Sequence, residues 1–502
     1  MTRRVETVAV VGRDAPLWLA VAAIQRSVGS LGIRVQAIEL PSWLDAVDCY
    51  SALPSLASMH RLLGIDERKM LEVAGGVPVV AQRFSNWSKG APPYFVAFDD
   101  EPPDSGDLPF IQYWLKGHRE GLRASFEDFS LACACARLGR VPLSPQGTDH
   151  PLTASYGYSL DARDYTEALK QLATKRGAEP ISSKIADVKL DGDRIASIEL
   201  EGGETVSADL FVDASGAERV LFMRMPGAEF ERWRGRFGCD RLVTASAAAF
   251  KSLPAFTQIS AFRGGWVGIS PLKDRTAVTA AYDSDSVPDH AMIAELPLLA
   301  RMHLSEQAVV SDLRPGVLKR SWIGNCVAIG EAAMAMESLS ATQLHVAQGC
   351  ISHLVTLFPA TADEMPEATA YNETIRAFAS NIADFIQAHY SLNRRFDEPF
   401  WDRARDATVT PTLRSKIDLF SARGAVALRD NETFTEQSWT FLFLGAGLDP
   451  EGYDPRIDLV PNELLIQKVQ QRLQLVAELA KGMPSVDQWV GAVDKLRAAG
   501  VS

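Results

Sequence analysis

The sequence predicts an α/β fold: a Rossmann-type βαβ core carrying an inserted β-sheet, followed by a mostly helical C-terminal region. Three observations predict it. An apolar strand at 8–12 runs through Gly12 into a helix at 15–29 and a second strand at 33–40, a βαβ unit of ordinary size. Strand-like runs bounded by turn residues recur between about 240 and 285. After residue 365 the pattern is almost wholly helical.

The elements follow in order. "VAVVG" (8–12) is a continuous apolar run, as in a strand buried on both faces. "IRVQAIEL" (33–40) is the second strand, and Glu39 stands 27 residues after Gly12, where a dinucleotide fold places the acid that holds a ribose. "LPSLASMHRLLGID" reads as a helix and "PVVAQRF" as an alternating strand. Residues 91–115, rich in Pro and Asp and closing on "FIQYWLKG", read as a loop or hairpin over the core. "LDARDYTEALKQLATKRGAE" is a helix with Asp161 or Asp164 at its acidic start and basic residues at its end, as the helix dipole prefers. A β-meander with turns at Asp191-Gly192 and Gly202-Gly203 then feeds a buried strand ending in "DASG" (213–216). "NCVAIGEAAMAMESLSATQLHVAQGCISHLVTLF" returns to a strand, a turn of small residues and a long helix. The last strong helix opens at Pro461-Asn462-Glu463, with Ile466, Val469, Leu473, Val476 and Ala480 expected as its packing face. The implied organisation is an α/β core over 1–365, with inserted sheet regions at about 90–150 and 240–315, and a helical region over 366–502.

A net charge of −12 excludes nucleic acid and an anionic membrane as main partners, because both would be repelled. No apolar run approaches the roughly 20 residues of a membrane span, and "MTRRVETVAVVG" carries no apolar signal region, so a cytoplasmic protein is expected. The six cysteines are scattered. Cys133 and Cys135 sit two apart in a helical pattern and face different sides, so they read as buried thiols rather than metal ligands. His345 and His353 read as packing residues, and no metal site is expected.

Three separated stretches together resemble the flavin-dependent tryptophan halogenases, within the flavin monooxygenases: the N-terminal βαβ, "ADLFVDASGAERVL", and "NCVAIGEAAMAMESLSATQLHVAQ". "LPSLASMHRLLGID", "QYWL", "GWVGISPL", "FIQAHY" and "EPFW" follow in family order, so the resemblance covers roughly residues 5–495. It implies an FAD-dependent monooxygenase-like fold. In the family, reduced FAD, delivered by a flavin reductase, and oxygen turn halide into an oxidant. A lysine passes the halogen to an electron-rich arene such as indole, and a glutamate assists.

The resemblance places departures at the reactive positions. Val79 of "GVPVVAQRF" stands at the family lysine and Ser340 of "ESLSAT" at the glutamate, so no catalytic residue of the family is retained. Valine neither ionises nor hydrogen-bonds, which excludes halogen relay by that route. Glu337 matches the earlier acid of the run. Halide would be held by amides where this chain has Ala341, Thr342 and a bulky Gln343. The family's W-x-W-x-I-P motif, which keeps substrate from the flavin, corresponds to Trp266-Val267-Gly268-Ile269-Ser270-Pro271, keeping one Trp and the Pro.

The FAD turn G-x-G-x-x-G becomes Gly12-Arg13-Asp14-Ala15-Pro16-Leu17. Asp14 puts a carboxylate at the phosphate and is expected to cap the helix itself. Pro16 removes a donor, and Arg13 is the one group suited to hold an anion by its side chain. "CYSALP" (49–54) replaces the small and acidic residues of the family's flavin loop. The family's "AAGF" becomes "AAMAM", with Met334 at the glycine and Met334 and Met336 expected to fill the space of the flavin ring. Gly12, Arg13, Glu39, Asp213, Gly216, Gly330 and Glu331 remain as candidates to bind FAD.

Two functional readings stay open. One is a non-catalytic binding or regulatory relative that keeps a site for a small aromatic molecule. The other is an FAD-dependent monooxygenase or atypical halogenase acting on an indole-like arene with a flavin reductase. Dimers are common in the family, so a homodimer is compatible with either.

Overall fold

The computed structural model describes residues 3–99, 108–142, 152, 154–233 and 235–498. The chain divides into two compact units, each assembled from three stretches: 1–76, 160–234 and 313–383 in the first, and 77–159, 235–312 and 384–502 in the second.

The first unit is built on a six-stranded sheet. Its centre is the strand Thr7–Gly12, paired in parallel with Leu210–Ala214 on one side and Arg34–Glu39 on the other. Val8 through Val11 are wholly buried, as a central parallel strand requires. Cys326–Ala328 adds in parallel to Leu210–Ala214. The helix Asp14–Val28 packs in this unit, with Leu17, Trp18, Leu19 and Ala20 buried. The helix Ala162–Lys175 starts where Asp161 accepts hydrogen bonds from the amides of Arg163 and Asp164, both at 3.0 Å. The meander is present as the antiparallel strands Ile185–Asp191, Arg194–Leu200 and Thr205–Val206.

The second unit carries a seven-stranded sheet. Arg241–Ala248, Phe256–Phe262, Gly265–Pro271 and Arg275–Tyr282 form its centre, and Ala81–Ser85 joins in parallel to Phe256–Phe262. Val243, Ala245, Val278 and Ala280 pack with Met292 and Leu296 of the helix Asp289–Ala300. Beyond residue 391 the described regular elements are helical, including Pro399–Asp406, Pro411–Arg423, Glu436–Gly445 and Asn462–Gly482.

Two local expectations are corrected. "FIQYWLKG" is no loop or hairpin but part of the helix Phe110–Arg119, in which Ile111 through Gly117 are all buried. Phe110, Ile111, Trp114 and Leu115 recur at helical spacing, but the Pro- and Asp-rich run before them carries the loop reading over this short segment. In Asn462–Gly482 the buried face is Leu465, Val469, Val476 and Ala480, while Ile466 and Leu473 are 52% and 38% exposed. Of the 90–150 stretch, residues 100–107 and 143–150 lie outside the described residues.

All six cysteines are free thiols, five of them buried, and no group of three metal-ligating side chains occurs among the described residues. His345 and His353 both lie against the ring of Phe378, at centroid distances of 5.3 and 6.3 Å. No described helix is long and apolar enough to cross a membrane.

Candidate functional site

In the first unit the strand Thr7–Gly12 turns into the helix Asp14–Val28 at the expected glycine. Gly12 is needed for strand packing: a Cβ there would lie 2.5 Å from the carbonyl oxygen of Ala214. Asp14 has φ +57°, the left-handed conformation a glycine adopts freely, so the backbone keeps a glycine-like turn under a charged side chain. The expected helix cap is corrected. No side chain caps this helix, and the Asp14 carboxylate instead accepts from Ser42 Oγ at 2.5 Å and the Trp43 amide at 3.4 Å. Burial raises the Asp14 carboxyl, against these two bonds and nearby Arg13, which hold it charged.

Arg13 is buried, and its guanidinium stacks 3.6 Å from the centroid of the Trp43 ring. Its Nη2 bonds Glu218 at 2.7 Å, while Nε and Nη1 are buried and bond to no described residue. Trp43 itself is 49% exposed, and its ring lies 3.6 Å from where a Cβ of Gly216 would be. Glu39 ends its strand opposite Gly12, but both carboxylate oxygens bond Lys170 Nζ, at 2.9 and 2.8 Å, and Ser182 adds a third bond at 2.9 Å.

Asp213 is wholly buried and organises the loop after its strand. It accepts from the Ser215 amide and hydroxyl at 2.9 and 2.6 Å, and from the amides of Leu221 and Phe222 at 3.0 and 2.8 Å. Gly216 and Gly330 have φ of +73° and +59°, and a Cβ on Gly330 would face Ala347 and Pro16. Glu331 is half-buried; burial raises its carboxyl, while Arg219 and the Gln343 side chain favour the charged form. Arg219 donates to the carbonyls of Glu331 and Ala332, tying the two loops together.

A pyrophosphate at such a turn needs close backbone approach and free amides at the helix start. These residues do not fit one. A carboxylate occupies the second glycine position, and Pro16 has no amide to offer. The Ala15 amide faces the hydroxyl of Tyr50, whose phenol burial raises well above its ordinary range. Arg13, itself part of the turn, is stacked on the Trp43 ring.

The stretch "ESLSAT" (337–342), where the resemblance would set the family glutamate, lies in the same unit. Glu337, Ser340 and Thr342 are all wholly buried. Ala341 between the last two is left-handed at φ +56°, and the helix Gln343–Thr356 follows. Ser340 Oγ and Thr342 Oγ1 hydrogen-bond to no described residue. Two buried hydroxyls beside a helix start are chemically suited to a small anion. Gln343 is exposed, and Met334 and Met336 are buried.

In the second unit Val79 is 3% exposed, in the strand Val77–Val79 paired with residues 157–159. Trp266 is buried, donates from Nε1 to the Tyr390 hydroxyl at 3.0 Å, and its ring passes 3.2 Å from where a Cβ of Gly268 would be. The Trp266 ring thus lies over Gly268, and Pro271 ends the strand.

The turn brings Gly12, Arg13, Asp14, Gly216 and Glu331 into one neighbourhood, and Glu39 is engaged elsewhere. Sequence reasoning missed Ser42, Trp43, Glu218 and Lys170. Only Trp43 carried a signal, as an aromatic residue four positions past Glu39 beside a serine.

The chain matches the tryptophan halogenase family model over residues 7–462. It is 25% identical to the tryptophan 7-halogenase KtzQ of Kutzneria sp. (strain 744), over 91% of this chain and 92% of that protein. It is 24% identical to the tryptophan 7-halogenase RebH of Lentzea aerocolonigenes, over 92% and 93%. The solved structure of BrvH, a flavin-dependent halogenase from Brevundimonas sp. BAL3, superposes with a TM-score of 0.92 at 26% identity, covering 98% of this chain and 99% of that one. With a matching sequence model and a matching fold across nearly its whole length, the chain belongs to the tryptophan halogenase family.

Proposed function

We propose that this protein is a non-catalytic binding or regulatory member of the family, which keeps the fold and a site for a small aromatic molecule without the family's halogen relay. The observation that carries this reading is Val79. A buried, apolar side chain in a paired strand replaces the one group that must be an amine, and no ionisation is available to it. Ser340 adds to this, since a hydroxyl does not take a ring proton as a carboxylate would.

The test supplies the full-length protein with reduced FAD from a separate flavin reductase, oxygen, chloride or bromide, and tryptophan or indole. No halogenated product is expected by mass spectrometry, while the aromatic compound shifts the thermal midpoint. Turnover of the arene that is lost on changing Ser340 or Thr342 would refute the reading.

A second reading, an FAD-dependent monooxygenase or atypical halogenase, draws on two observations. Gly268 replaces a barrier tryptophan, and the hydroxyls of Ser340 and Thr342 offer chemistry for a small anion. Hydroxylated product in the same assay would select it.

A further inference from the structure

We infer that Arg13, Asp14 and Trp43 form an internal plug standing in for the dinucleotide at the N-terminal turn, so that the turn takes no adenine nucleotide while the plug is seated. This inference is independent of Val79 and of the halogenation chemistry.

The three residues supply the same kinds of chemistry a nucleotide would bring. Trp43 is a planar aromatic ring laid beside Gly216, 3.6 Å from where a Cβ of that residue would be. Arg13 stacks on that ring at 3.6 Å, a cation–π contact in a largely desolvated setting. Its charge is met by Glu218 at 2.7 Å, so the positive charge at the turn is already spent on a carboxylate of the chain itself.

Asp14 is the latch. Its side chain leaves the helix uncapped and reaches across to Ser42 and the Trp43 amide, fixing the loop that carries the indole. The left-handed backbone at Asp14 is one that glycine adopts freely and an L-residue does not, and the turn keeps that conformation. The remaining N–H groups of Arg13 are sealed from water, so an incoming phosphate reaches them only after Trp43 has left.

The experiment is calorimetric titration of the full-length protein with ADP, which carries the adenosine and pyrophosphate without the flavin ring. Wild type and Trp43→Phe, which retains a ring over Arg13, are expected to give no binding heat at millimolar ADP. The double variant Trp43→Ala/Asp14→Gly is expected to bind at least tenfold more tightly. Circular dichroism and a thermal melt confirm that it is folded. Should the double variant not fold, Trp43→Ala alone is titrated, with a smaller gain expected. Wild-type binding as tight as the variant's, or a folded opened variant with no gain, would overturn the plug. Either result leaves the reading of Val79 untouched, because ADP binding makes no demand on that residue.

Discussion

Gly12 and Ala214 are matched residues of two central parallel strands, and they approach so closely that a methyl group on residue 12 would lie 2.5 Å from the Ala214 carbonyl oxygen and 2.6 Å from its Cβ. Backbone and a stub side chain cannot swing aside. Gly12→Ala should therefore destabilise the protein by about 1–3 kcal/mol as an overpacked core position, read as a lower thermal midpoint. An unchanged midpoint would show that the strands separate at no cost.

Asp213 is expected to matter for stability rather than for a ligand. Replacing it by Ala leaves the buried amides of Leu221 and Phe222 without their acceptor. Each such loss is worth about 1–3 kcal/mol. Asp213→Asn should recover only part, because its NH2 opposes donors where the second oxygen accepted. Equal stability of the three proteins in a urea titration would contradict this account.

His389 lies wholly buried, stacked on Phe84 at 4.4 Å, and neither ring nitrogen bonds to a described residue. Burial pushes its pKa down from 6.5 to about 3. In an unfolded chain the ring takes a proton near pH 6.5, and in the folded chain only near 3, so acidification through that window removes stability. The slope is about 1.4 kcal/mol per pH unit for one such group. His389→Phe should be tolerated at neutral pH and should flatten the acid limb of a midpoint-against-pH curve. His60, lowered to about 4 by burial, keeps part of that limb in the variant. Identical curves for the two proteins would rule this out.

Val79→Lys asks whether the family's reactive amine still has a place. At 3% exposure the new ammonium loses its water, and an uncompensated buried charge costs about 3–5 kcal/mol. The variant is expected to melt earlier and to form no halogenated tryptophan. A stable variant with restored product would mean that the surroundings of Val79 remain those of an enzyme.

Much of this protein was legible in its sequence because the relevant signals are local. The apolar run at 8–11, the strand-like runs between 240 and 285 and the acidic helix start at Asp161 or Asp164 each depend on neighbours within a few residues. The departures proposed at Val79, Ser340 and Asp14 come from a comparison of the same local kind, in which the resemblance sets each residue against a short motif. The helix Phe110–Arg119 was not legible, because the Pro- and Asp-rich run before it read as a loop and hid a short segment whose apolar residues do recur at helical spacing.

The use of each site residue was decided only in three dimensions. By itself the sequence determined that Asp14 follows Gly12 and stands at a helix start, from which a cap is the natural reading. The tertiary structure gave its carboxylate to Ser42, 28 residues on, because the parallel strand Arg34–Glu39 ends beside Gly12 and delivers the next loop to the turn. Glu39 went to Lys170 and Arg13 to Trp43 and Glu218 by the same kind of long-range placement. A charged side chain bonds to whatever partner the fold brings within about 3 Å, and chain order alone does not name that partner.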